Sequence, residues 1–159
     1  MMFRNYRSKY VFNFFLSISL PAAFHACSVQ SKFAEQDVVI EMERTRCMGS
    51  CPVYHIKINN DGMVLYEGKE HVSRLGLYRS ELPDSLFQEI IYRFRAINFY
   101  QLRDVYITNI SDQPTTYITF RYEGGYKRIM DYYNAPVVLR ELENFIDRSV
   151  ENLSYRRAR

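Results

Sequence analysis

The tightest constraint on how this chain folds is an alternation that stops, turns and resumes. Residues 53–59 (VYHIKIN) put Tyr54, Ile56 and Ile58 on one side of an extended chain and His55 and Lys57 on the other. Successive side chains of a strand point to opposite faces, so the segment reads as a strand with one buried face. Asn60-Asp61-Gly62 follows, and Asp and Gly tolerate the positive φ that primed hairpin turns require. Residues 63–67 (MVLYE) then return as the partner strand. A lone hairpin is marginal in water, so its apolar face demands further strands or a helix to cover it.

The rest of the chain supplies both. Residues 38–45 (VVIEMERT) alternate as a strand, and residues 71–78 read as another, with Gly76 marking a bulge or a close backbone approach. Residues 115–122 (TTYITFRY) and 126–132 (YKRIMDY) form a second hairpin around Glu123-Gly124-Gly125. Between the hairpins, Pro83-Asp84-Ser85 opens a helix. Ser85 and Gln88 have capping-box spacing, and Leu86, Phe87, Ile90, Ile91 and Phe94 recur at helical intervals. Residues 101–112 read mostly as loop. Asn134 is placed to cap a last helix whose stripe is Val138, Leu139, Leu142, Phe145, Ile146 and Val150. Having no Trp, 14 Tyr and 11 Phe fits strands better than a helical bundle. The expectation is one α+β domain over residues 38–153, a mainly antiparallel sheet of about five to six strands with two helices packed on it. Residues 154–159 make a basic tail, expected as a frayed C-terminus after the helix.

The start of the chain has a different grammar. Arg4, Arg7 and Lys9 precede an apolar stretch over residues 10–20, then Pro21, Ala22 and Ala23, and no Asp or Glu occurs before Glu35. A basic start, a short apolar core and a small-residue exit describe a secretory signal peptide over residues 1–26. A transmembrane anchor is the competing reading, but Asn13, Pro21 and His25 interrupt a run that is short of the ~20 apolar residues a span requires. Phe24-His25-Ala26-Cys27 resembles a bacterial lipoprotein box, with small Ala26 before the Cys. That resemblance implies cleavage before Cys27, which would carry diacylglycerol on its sulfur and an amide-linked acyl chain such as palmitate. Several acyl chains anchor stably where one is marginal. Polar residues 28–37 then read as a lipid-proximal tether beginning at Cys27. The same three cations account for the whole formal net charge of +3, so charge offers no argument for nucleic acid as a partner.

The remaining Cys sit together in Cys47-Met48-Gly49-Ser50-Cys51-Pro52, between the first two strands. Three readings stay open. An exported chain favours a structural disulfide closing a short loop. Two thiolates at this spacing also suit a soft ion such as copper, and C-x-x-x-C-P is similar to the copper motif of membrane-tethered copper chaperones of oxidase assembly. In those proteins the motif enters a helix and a distant His completes the site, whereas here a strand follows and only His55 and His71 are nearby in sequence. A redox-active dithiol would need a helix N-terminus or adjacent cations, and only Arg44 and Arg46 are at hand.

Residues 47–54 (CMGSCPVY), the Asp61-Gly62 turn and Tyr66-Glu67-Gly68 together resemble a bacterial family known as domain of unknown function 6438. Its hallmark is C-x-G-x-C-P-x-Y, a D-G turn and a Y-x-G strand end, in small secreted proteins or lipoproteins. Asp112-Gln113-Pro114-Thr115-Thr116 and Ala135-Pro136 extend the likeness from about Val38 to Phe145. The resemblance implies a single exported domain and brings no activity or catalytic residue. Nucleophile-elbow, Walker, dinucleotide and H-E-x-x-H motifs are absent from the sequence. Glu141 and Glu143 read as the solvated face of the last helix rather than as an acid/base pair. The functional expectation is a membrane-anchored domain of the bacterial cell envelope, binding or structural rather than enzymatic, needing no cofactor, with an envelope protein or glycan as partner. The alternative is a redox or copper-handling protein using Cys47 and Cys51.

Overall fold

In the computed structural model, which describes Phe33 and residues 35–158, the hairpin around Asp61-Gly62 lies near the middle of one sheet. Strands β1 (Val38–Arg44), β2 (Val53–Asn59), β3 (Met63–Glu70) and β4 (Gly76–Glu81) run as an antiparallel meander. Helix α1 (Asp84–Ala96) crosses to β5 (Val105–Tyr106), the hairpin β6 (Thr116–Tyr122) and β7 (Gly125–Asp131), then α2 (Val137–Glu151) and β8 (Arg156–Arg157). The strand order is β5-β7-β6-β1-β2-β3-β4-β8, and every pairing is antiparallel except that of β5 with β7. The fold is α+β with two helices and a mostly antiparallel sheet.

Alternation decides which face is buried. Ile40 and Met42 of β1, Ile56 and Ile58 of β2, Val64 of β3, Ile118 and Phe120 of β6 and Ile129 of β7 join one core with the helices. Helix α1 contributes Phe87, Ile90, Ile91 and Phe94, and α2 contributes Leu139, Leu142, Ile146 and Val150. Residues of the opposite parity on the central strands, Glu41, Glu43, His55, Lys57 and Glu67, stand in cross-strand register on the other face. Toward one end three phenylalanines cluster in the core. Phe94 stacks on Phe120 with centroids 4.1 Å apart, and Phe99 meets both rings edge-on.

The sheet has eight strands, two beyond the upper end of the expectation, and both extra strands are two-residue edge strands with no alternation to read. β5 forms inside the segment expected as loop. β8 forms inside the expected frayed tail, because Arg156 and Arg157 pair with Arg79 and Tyr78 along the otherwise open edge of β4. β4 starts later than the expected strand over residues 71–78, since residues 71–75 form a separate connection with His71 at φ 51°. The close approach lies at Gly68 rather than Gly76: a Cβ on Gly68 would stand 1.8 Å from the Arg74 carbonyl oxygen. Only a residue without a side chain lets that connection fold back over β3.

Local signals were also reinterpreted by their context. Of the β2–β3 turn residues only Gly62 takes positive φ, and the Asn59 side chain closes the loop by accepting from the Asp61 and Met63 amides. Glu123 and Gly124 both take positive φ, the requirement of a two-residue primed turn. α1 begins one residue before Ser85, with Pro83 at the cap and no side-chain cap, so the capping box does not form. α2 is likewise entered through Pro136, leaving Asn134 outside the helix at φ 70°. Val138 is exposed, not part of the buried stripe.

Candidate functional site

At the end of the sheet away from the phenylalanine cluster, β1 delivers a cation to the helix-covered face. Arg44 has the parity of Ile40 and Met42, so its guanidinium is carried under α2. There Nε and Nη2 donate to Asp147 Oδ2 at 3.0 and 2.6 Å, and Nη1 donates to Thr116 Oγ1 at 2.8 Å. Nε also reaches the Tyr54 hydroxyl at 3.0 Å, and that hydroxyl in turn donates to Asp147 Oδ1. Burial works against the charge on Arg44, but Asp147 and its neighbours outweigh it and hold the guanidinium firmly protonated. Burial, reinforced by Asp147, pushes the Tyr54 phenol well above its ordinary range, so it remains a donor.

Glu143 lies one turn before Asp147 and is 3% exposed, which corrects its expected place on a solvated face. The reason is periodicity: position 143 falls on the stripe of Leu139, Leu142 and Ile146. Its Oε2 is 3.9 Å from Arg44 Nη1, and its Oε1 has no hydrogen-bond partner among the described residues. Burial raises its pKa to about 8, with Asp131 and Asp147 adding to the rise against Arg44. Asp131, at the end of β7, is also buried and shifted upward, chiefly by desolvation.

Two members of this network, Tyr54 and Asp147, line a cleft of about 250 Å³. Pro52 and Tyr54 enter from β2, Tyr66 from β3, and residues 71–74 from the connection folded over Gly68. Asp147, Val150 and Glu151 come from α2, and Tyr155 from the segment before β8. Three tyrosines form a continuous aromatic surface. Tyr54 and Tyr66 stack with centroids 5.7 Å apart, Tyr155 packs at 5.7 Å from Tyr66, and its hydroxyl donates to the Val150 carbonyl at 3.0 Å. Burial lifts the Tyr155 phenol to about 12. The Arg74 guanidinium sits over the Tyr155 ring, 4.9 Å from its centroid.

Cys47 and Cys51 stand at disulfide distance with their Cα atoms 5.8 Å apart, inside the range a disulfide requires. The loop between them is exposed, with Met48 at 81%. Its approach is fixed by the Thr45 amide donating to the Thr115 carbonyl at 3.0 Å and by Arg46 pairing with Glu70. On its far side, Pro52 leads directly into the cleft. Neither histidine joins the pair: among the described residues no group of three or more His, Cys, Asp or Glu is placed to hold a metal. His55 stands between Glu43 and Glu67 on the helix-free face, with its pKa lowered by burial and by Lys57. His71 lines the cleft.

Cys27 and the expected signal peptide lie outside the described residues. Among the described residues no helix is long and apolar enough to cross a membrane. The sequence offered Arg44 only as a cation near the Cys pair, and it did not single out Asp147, Arg74 or Tyr155. Asp147 had one available signal, its place four residues after Glu143 on a buried stripe.

No curated protein and no solved structure matches the chain. The sequence model of the family described as Domain of unknown function (DUF6438) matches residues 38–150, from the start of β1 to the last turn of α2, and the chain belongs to that family.

Proposed function

We propose that the protein is a lipid-anchored domain of the bacterial cell envelope that binds an envelope component, a protein or a glycan, in the tyrosine-lined cleft. The observation that carries the binding half is convergence. Pro52, Tyr54 and Tyr66, all residues of the C-x-G-x-C-P-x-Y and Y-x-G strings, line one cleft, and Gly68 makes room for its wall. A concave site with aromatic lining and a few fixed polar groups is the usual form of a ligand seat. Export and anchoring rest on the N-terminal pattern and Cys27, with a membrane as the partner of the lipid.

Intact-mass measurement of the membrane-purified protein tests the anchor. The expected species begins at Cys27 and carries acyl chains, and Cys27→Ser releases the domain from the membrane fraction. A mass equal to the bare polypeptide with residues 1–26 attached overturns the anchor. The exposure of the Cys47–Cys51 loop favours a second reading, a redox or copper-handling role. Replacing both Cys with Ser separates the two. Lower stability with no change in copper content or redox behaviour supports the structural disulfide, and an equally stable fold that has lost bound copper supports the alternative.

A further inference from the structure

We propose that the cleft takes a carboxylate-bearing saccharide unit, a single sugar ring of the uronic-acid kind, with its carboxylate on Arg74. This rests on the binding reading above and names the ligand class. A volume of about 250 Å³ is below that of most drug-sized sites and matches one ring-sized unit rather than an extended chain. The surface formed by Tyr54, Tyr66 and Tyr155 offers aromatic area against which the C–H face of a sugar ring packs.

Arg74 favours an acidic sugar over a neutral one, and the lining carboxylates are either engaged, as Asp147 is by Arg44, or on the exposed rim, as Glu151 is. Arg74 is the one Arg or Lys lining the cleft, and among the described residues it has no ion-pair partner, only the Tyr155 ring beneath it. A stacked guanidinium is oriented before a ligand arrives, and its planar fork matches a carboxylate in two hydrogen bonds. Asp147 is engaged by Arg44 and Tyr54 and holds the tyrosine wall in place. Glu151, Ser73 and His71 remain along the rim as acceptors and donors for ring hydroxyls. A neutral sugar leaves Arg74 unanswered, and a carboxylate without a sugar ring leaves the rim groups unused.

The test is titration of the purified full chain with D-glucuronate, D-glucose and N-acetylphenylalanine, followed by calorimetry and by NMR of the cleft residues. D-Glucuronate is expected to bind at least about tenfold more tightly than D-glucose, the margin of one charge-assisted hydrogen-bonded contact. Arg74→Gln is expected to bring its affinity down to that of glucose, and Arg74→Lys to restore part of the difference. Arg74 lies outside the apolar core, so both variants are expected to fold. Equal affinity for glucose and glucuronate, or an Arg74→Gln variant that binds glucuronate undiminished, overturns the proposal. N-acetylphenylalanine binding more tightly than glucuronate at the same residues overturns the saccharide class and leaves the cleft standing as a ligand seat. Signals of Tyr66, Arg74 and Tyr155 that respond to none of the three overturn both.

Discussion

The two ends of the layer between sheet and helices are built on opposite principles. At one end Phe94, Phe99 and Phe120 fill the space with rings that need no partners beyond one another. At the other, Arg44, Tyr54, Asp147 and Glu143 fill the layer with ionisable groups and hydroxyls, Arg44 and Asp147 only partly buried, and the layer opens into a cleft. Taking ionised groups out of water costs several kcal/mol per ion, and their mutual attraction only roughly offsets it. Packed apolar side chains in the same place would often be as stable or more so. The polar end therefore points to a use, and its neighbour is the tyrosine surface with Arg74.

Substitutions can break this contrast, beginning where the effect is largest. Phe94→Ala leaves a fully buried cavity between Phe99 and Phe120 and is expected to cost about 4 kcal/mol in urea denaturation. Arg44→Ala leaves Asp147 without its cation and Thr116 and Tyr54 without a donor, and is expected to cost about 3 kcal/mol. The Phe94 variant should keep the cleft intact when folded, while the Arg44 variant should release Tyr54 and alter it.

Glu143 sharpens the contrast through pH. Its folded pKa, about 8, is above the ordinary carboxylate value of 4.5, so the folded state holds a proton that the unfolded state gives up. That contribution is complete below pH 4.5 and is lost as pH rises toward 8. Melting temperature should fall across this window. Glu143→Gln should flatten the fall and raise stability at pH 8 relative to the parent. An unchanged pH profile in that variant would place the titration elsewhere. The smallest effect concerns the loop at the cleft's margin: Cys47→Ser is expected to cost at most about 2 kcal/mol, the closure entropy of so short a loop. A loss above that would mean the loop supports the sheet as well as itself.

How much of this could be read in advance divides along the same line. The hydrophobic end was legible because Phe87, Ile90, Ile91 and Phe94 recur at helical spacing and Ile118 and Phe120 alternate. The family was legible in the sequence, as was the Cys47–Cys51 pair. The cleft was not, because its walls come from segments that no local pattern joins. Tyr54 and Tyr155 are far apart in the chain, and Tyr155 is placed by β8 docking on the edge of β4. Edge strands as short as β5 and β8 have no period, since tertiary pairing rather than alternation creates them. Glu143 was misread because its charge was given more weight than its position on the stripe of α2.

The central claim is that the polar end is retained for the cleft rather than for stability. Its most direct test is the unfolding free energy of the combined variant Arg44→Met, Glu143→Leu and Asp147→Leu, which replaces the ion pair and the protonated Glu143 beside it with apolar side chains of similar length. The account predicts stability equal to or above that of the parent, since buried ion pairs are commonly matched or bettered by packed hydrophobic groups. A loss as large as that of Arg44→Ala alone would contradict it and make the charged cluster part of what holds the fold together.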